Sequence, residues 1–244
     1  MDDKTQRKLT GQVAKRLKLF RKKRGMSVSA FAERIHKSPV TVYKYESGAI
    51  PIDMDVLEEI ARVLGVAPAY FFDPPTDGWD QRIQVDFMKT GRLYIYQYDG
   101  RIRRVSQSLL SFGGQEGEEV RAVLYMDVRN FAEPENARYL YYGRMIPHET
   151  VSSFILENIT LPMETLTLQI LHPFQNSMTS WGLLMCMSDY PSAPMSTKIL
   201  VSLQPFSEAE LKNYPLVFTR EEMRTIRQRN AIVLYAWAIG DSVK

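Results

Sequence analysis

With 244 residues, 31 basic and 28 acidic side chains and a net charge of +3, the chain has the composition of an ordinary soluble protein and the length of one or two domains. Hydrophobic residues make up 45% and charged residues 24%, enough apolar material to fill a core, which excludes a collagen-like or broadly disordered chain. The single cysteine cannot form an internal disulfide, and the longest apolar run, Ala231 to Ile239, is about half of the roughly 20 residues that cross a bilayer.

Met1 to Lys8 is polar and lacks the apolar stretch of a secretory signal, so a cytoplasmic protein without a membrane partner is expected. Cys186 stands among Leu183, Leu184, Met185 and Met187, the setting of a buried small hydrophobe rather than of an activated thiolate. Charge is unevenly distributed about the cluster Asp73-Pro74-Pro75-Thr76-Asp77-Gly78. Residues 1–72 carry 14 basic and 8 acidic side chains (+6), and residues 73–244 carry 17 and 20 (−3). Lys15, Arg16, Lys18, Arg21, Lys22, Lys23 and Arg24 crowd into one short stretch, which favours a polyanion such as nucleic acid or forms the solvated face of a helix. The division predicts a first domain over 1–72, a linker over 73–80 and a second domain over 81–244.

In chain order, Val13, Leu17 and Phe20 lie at helical spacing in a first helix from about Leu9 to Lys23, and Gly25 stops it. Ser27 is a cap for a short second helix with a buried stripe of Val28, Phe31, Ala32 and Ile35. After His36 and Lys37, Ser38 caps a third helix with Pro39 at its first position and Gly48 beyond its end. A fourth begins near Asp53 or Asp55, where Asp55 and Glu58 suggest a capping box, and buries Val56, Leu57, Ile60, Ala61 and Leu64 before Gly65. A brief fifth holds Tyr70 and Phe71.

Two short helices joined by a tight turn within a helical bundle can present one helix to a DNA major groove. The segments Met26 to Ala32, Ser38 to Glu46 with Gly48, and Leu57 to Val66 resemble the helix-turn-helix of Xre/Cro-type repressors over about residues 9–72. The resemblance implies a salt bridge between Arg21 and Glu46 that braces the third helix. It implies phosphate contacts by Ser27, Lys37, Ser38 and Thr41, base-edge contacts by Pro39, Val40, Tyr43 and Lys44, and a buried fastening role for Val42. The sequence departs from the family in two places. Val28 replaces the usual glutamine after the second cap, and the apolar Pro39 and Val40 cannot make the bidentate hydrogen bonds that read guanine or adenine, though they can touch thymine methyls. That leaves Lys44 to read guanine or hold phosphate.

Beyond the linker the hydrophobic period changes to two. Arg92, Tyr94, Tyr96 and Tyr98 alternate with Leu93, Ile95 and Gln97, and Asp99-Gly100 reads as a hairpin turn into Arg101 to Val105. Further strands are expected at Ile83 to Met88, Val120 to Val128, Arg138 to Met145, Leu166 to Leu171, Gly182 to Met187 and Lys198 to Leu203. Helices are expected after His148, after Ser207 and from Thr219, where Thr219 and Glu222 make a capping box. The fold class is therefore multidomain: an all-α bundle of four to five helices followed by an α+β, strand-rich domain.

No enzymatic constellation stands out. Ser196 and Lys198 lack the motif of a serine/lysine protease. His148-Glu149 lacks the second histidine of a zinc helix, since Ser152 stands there, and Gly113-Gly114-Gln115-Glu116-Gly117 is too acidic to cradle phosphate. Neither metal nor cofactor is expected. Tyrosine and arginine are dense here, and Tyr94, Tyr96, Arg101, Arg103, Tyr141 and Arg144 suit a ligand pocket, a dimer or partner interface, or plain sheet packing. The sequence thus predicts a dimeric regulator of double-stranded DNA, more specifically a repressor on palindromic sites, with a small-molecule or protein effector. An antitoxin or phage-type regulator whose second domain binds another protein is the alternative.

Overall fold

The computed structural model describes residues 3–72, 86–113, 120–161, 164–173, 177–188 and 192–234. The linker expected over 73–80 and the glycine-rich stretch 114–117 lie outside them. The chain forms two compact units, Met1–Asp73 and Pro74–Lys244.

The first unit contains α1 (Asp3–Lys23), α2 (Val28–Arg34), α3 (Pro39–Ser47), α4 (Met54–Leu64) and a 3-10 turn at Pro68–Phe71. Its core is Leu17, Phe20, Phe31, Ile35, Val42, Ile60 and Phe71, each fully buried. Phe71 meets Phe20 edge to face at 5.1 Å, a geometry favoured by the ring quadrupoles. The helix ends follow local chemistry. Gly48 and Gly65 take left-handed φ values of 71° and 63°, which a residue without Cβ adopts at no cost. The capping box expected at Asp55 and Glu58 is not the start of α4, because Asp53 holds the N-cap position and Asp55 already lies in the first turn.

The second unit is a closed eight-stranded barrel in simple meander order: β1 (Arg92–Asp99), β2 (Arg104–Gly113), β3 (Val120–Met126), β4 (Tyr139–Pro147), β5 (Val151–Asn158), β6 (Thr165–Leu171), β7 (Thr179–Met187) and β8 (Pro194–Ser202). All neighbouring strands are antiparallel, and β1 closes on β8. Alternate residues point inward, so Leu93, Ile95, Leu110, Leu124, Phe154, Leu168, Ile199 and Val201 fill one interior core. Met88, fully buried in that core, belongs to a 3-10 turn at Asp86–Thr90 on the side where β1 begins. The strand expected over Ile83 to Met88 is therefore replaced, in its described part, by this turn. Outside the barrel, Phe131, Phe206, Leu211, Tyr214, Leu216 and Leu234 pack with Tyr94, Tyr96, Trp181 and Leu200 in a second apolar cluster.

Two short helices follow, α5 (Glu208–Leu211) and α6 (Arg220–Arg229), each opened by a capping box, Ser207 with Glu210 and Thr219 with Glu222. No helix follows His148. Ser152, Phe154, Leu156 and Asn158 alternate inward with period two, which makes this stretch β5. The first hairpin is also longer than Asp99-Gly100 suggests. Asp99 pairs with Arg104, and Arg103 rather than the glycine takes the left-handed conformation, at φ 51°. Among the described residues no helix is long and apolar enough to cross a membrane.

Candidate functional site

In α3 the sequence builds an exposed face over a buried one. The Ser38 hydroxyl accepts the Thr41 N–H at 3.1 Å and shares a 2.9 Å hydrogen bond with the Thr41 hydroxyl, fixing the start of the helix. Val42 and Tyr45 are buried, whereas Pro39, Val40, Tyr43 and Lys44 are exposed, Val40 by 62% and Tyr43 by 60%. The connection from α2 is tight. His36 turns the chain with φ 50°, and the Lys37 N–H donates to the Ala32 carbonyl at 2.9 Å, closing α2. Ser27, whose hydroxyl accepts the Ala30 N–H at 3.1 Å, Lys37 and Ser38 are exposed at the N-terminal ends of α2 and α3. Helix N-termini offer backbone N–H groups and a positive dipole end to phosphate.

Behind this face Arg21 of α1 grips Glu46 of α3 with two bonds, Nε to Oε1 at 2.5 Å and Nη2 to Oε2 at 3.0 Å. A third bond runs from Nη1 to the Met26 carbonyl at 2.6 Å, so one guanidinium joins α1, the turn before α2, and α3. Arg24, read in the sequence only as one of a basic cluster, donates to the carbonyls of Leu64 at 2.7 Å and Gly65 at 3.1 Å and thereby caps α4. The cluster is thus divided: Lys15, Lys18 and Lys22 are exposed, while Arg16 and Arg21 are buried.

In the barrel, a cavity of about 460 Å³ lies where β1 ends and β2 begins, and its wall includes Arg101 and Tyr141. Tyr141 is buried and donates to Glu164 Oε1 at 2.9 Å, while Asn158 donates to Oε2 at 2.9 Å. Burial, and then the Glu164 charge, push the Tyr141 phenol far up, so it remains a donor throughout the physiological range. Asp127 accepts Arg104 on both oxygens at 2.8 Å and Ser106 at 3.0 Å. The Gln97 Oε1, also in this wall, is buried and has no hydrogen-bond donor from the described residues. Such an acceptor carries an unrelieved desolvation cost of about 1–3 kcal/mol.

Residues 17–71 match the family model described as Helix-turn-helix. This segment is a helix-turn-helix of the Xre/Cro type. No curated protein matches the chain in sequence. Similar solved structures include hydroxypropylphosphonic acid epoxidase from S. wedmorenis in complex with fosfomycin, at 16% identity and a TM-score of 0.27 over 79% of this chain and 97% of that one. Apo-HppE is similar at 13% identity and a TM-score of 0.26, over 79% of this chain and 91% of that one.

The helix-turn-helix brings together, on one short helix, the four residues assigned to base edges. The six candidates in the barrel are instead divided. Tyr94 and Tyr96 belong to the outer aromatic cluster, Tyr96 accepting the Phe206 N–H at 2.6 Å. Arg103 lies exposed in the β1–β2 loop, and Arg144 is exposed on β4 opposite Ile155, while Arg101 and Tyr141 reach the cavity. Cys186, expected to be buried, is half-buried in the cavity wall. Gln97, Ser106, Asp127 and Glu164 were not anticipated in the sequence. Gln97 carried a usable signal, since it shares the inward phase of Leu93 and Ile95 and is therefore a polar residue at a core position.

Proposed function

We propose that this protein is a cytoplasmic, sequence-specific transcriptional regulator, a repressor that binds palindromic DNA as a homodimer and senses an effector through its barrel. The observation that carries the reading is the α3 face: four exposed side chains on a helix fastened by buried Val42 and by the Arg21–Glu46 pair. In this reading Lys44 hydrogen-bonds a guanine edge, Pro39 and Val40 touch thymine methyls, and Tyr43 adds a hydroxyl. Ser27, Lys37, Ser38 and Thr41 hold phosphates and set the register. Dimerisation follows from length, because one such helix spans only a few base pairs and two copies one helical turn apart read a palindrome.

The barrel is read as a binding domain without catalytic activity. Ser152 and His172 approach to 2.9 Å like a nucleophile and base, but Ser152 is fully buried and cannot meet a substrate. The cavity favours a small-molecule effector over a protein partner.

Selection of sites from random duplex DNA by the full-length protein at about physiological salt tests the reading. A palindromic consensus with half-sites one turn apart is expected. Lys44→Ala relaxes sequence preference, whereas Lys37→Ala weakens all DNA about equally and lowers the salt slope by about one. Equal losses from both variants on matched and mismatched sites would overturn these roles, and a stoichiometric co-purifying protein would point to the partner-binding alternative.

A further inference from the structure

The geometry points to a ligand site in the barrel cavity for a compact, uncharged, planar aromatic molecule that carries an N–H or O–H donor. The inference rests on the reading of the barrel as the effector domain and names the chemistry that domain takes.

The space is suitable and accessible. A cavity of about 460 Å³ is of the size that holds one small molecule, and it lies at one end of the barrel, beyond the packed interior, where barrel mouths commonly take ligands. β1 and β8 are in register over Tyr94–Tyr96 and Leu200–Ser202. Beyond that seam, Gln97, Tyr98 and Asp99 on β1 and Met195, Ser196 and Thr197 on β8 all line the cavity. The ligand's route in therefore lies where the two closing strands part.

Three features of the wall define the ligand. Carboxylates and guanidinium groups are balanced, Asp99, Asp127 and Glu164 against Arg101, Arg104 and Arg138. They are also engaged with the wall itself: Arg104 with Asp127 at 2.8 Å, Arg101 with Asp99 at 3.7 Å, Glu164 with Tyr141 and Asn158, and Arg138 over the Tyr139 ring at 5.1 Å. The charges of the wall therefore sum to zero, and a net charge on the ligand would gain no net attraction from it. The apolar part of the wall is rich in sulfur, with Met126, Met187, Met195 and Cys186 lining the cavity along with Tyr139. Thioethers are polarisable, adapt their shape and contact aromatic rings favourably, so a flat ring fits better than a branched aliphatic group. Finally, Gln97 lines the cavity while its Oε1 is buried without a donor from the described residues, so a turn of the terminal amide into the cavity would bring that acceptor to a ligand N–H or O–H.

Calorimetric titration of the full-length protein with 1-naphthol, and with naphthalene and 1-methoxynaphthalene as rings without a donor, tests the inference. One 1-naphthol should bind per chain, about ten-fold more tightly than either control, the factor expected for one buried hydrogen bond. In Gln97→Leu, or Gln97→Met should the leucine variant not fold, the three ligands should converge to within about two-fold as the acceptor is lost. Met126→Trp, which fills the cavity, should abolish binding of all three while the melting temperature is kept. Equal affinities in the wild type, or an unchanged ratio in the Gln97 variant, overturn the donor assignment and leave the effector reading standing. Absence of binding, or binding indifferent to Met126→Trp, overturns the site, while the duplex-selection experiment reports on the DNA reading independently.

Discussion

Lys198 on β8 and Glu222 in the first turn of α6 form an ion pair of 2.7 Å, with the ammonium also 4.3 Å from the centre of the Trp181 ring. The lysine side chain is 3% exposed and the carboxylate 19%, so each charge depends on the other. Glu222→Ala should therefore destabilise the barrel by about 3 kcal/mol by leaving an uncompensated ammonium, and the double variant with Lys198→Met should recover much of it, both read by thermal melting. Burial alone would raise the Glu222 pKa, but the bonds from Lys198 and Thr219 outweigh it and hold the group below 4.5. The pair's contribution is thus present above about pH 4.5 and lost as pH falls through the lower folded value.

The Arg21–Glu46 brace is buried on both sides, with side chains 9% and 5% exposed. Glu46→Ala should cost the first unit about 3 kcal/mol, because the guanidinium stays buried with a single carbonyl as partner. Hydrogen exchange resolved by residue should show faster exchange in α3 while the barrel is unchanged. DNA affinity should fall with it, although Glu46 is given no contact to DNA.

His172 makes stability depend on pH in a different window. Its Nδ1 lies 3.0 Å from the Glu149 carbonyl, which only accepts, so Nδ1 carries the proton and Nε2 accepts the Ser152 hydroxyl at 2.9 Å. Burial lowers its pKa below 6.5, and the unfolded chain therefore binds the proton more readily. Its contribution is complete above about pH 6.5 and declines as pH falls through the folded value. Melting temperatures between pH 8 and pH 5 should drop for the wild type and be flatter for His172→Asn.

A Cβ placed on Gly143 would lie 1.9 Å from the Ile155 carbonyl oxygen and 2.9 Å from the Leu156 Cα, both backbone atoms of the adjoining strand. Gly143→Ala should thus force β4 and β5 apart and cost about 3 kcal/mol. Gly100→Ala is the control. Its Cβ would meet only Tyr98 Cε1 at 3.8 Å, an ordinary contact, and stability should change by less than about 0.5 kcal/mol.

The residues of the helix-turn-helix were legible because their determinants are local. Ser27, Ser38, Pro39, Gly48 and Gly65 act on their own turns, and the structure places each where its chemistry suggests. The barrel was legible only as strands, because closure depends on pairs distant in sequence, such as Tyr96 with Leu200. β5 was obscured by its polar inward residues, Ser152 and Asn158, which are satisfied by His172 and Glu164 from other segments. The cavity was hidden for the same reason. Arg101 and Tyr141 could be proposed from composition, but their separation from Tyr94 and Tyr96 is set by strand phase and by aromatic residues as far away as Phe206 and Tyr214.

Every strand pair in the barrel except one joins neighbours in sequence, and that one, β1 with β8, is short. Seven hairpin-like steps can zip up from local contacts, whereas the last joins segments about a hundred residues apart and must await the rest. The ring should accordingly form late and loosen first. The amides of β1 and β8 are where sub-global opening, and with it the earliest susceptibility to proteolysis, should appear.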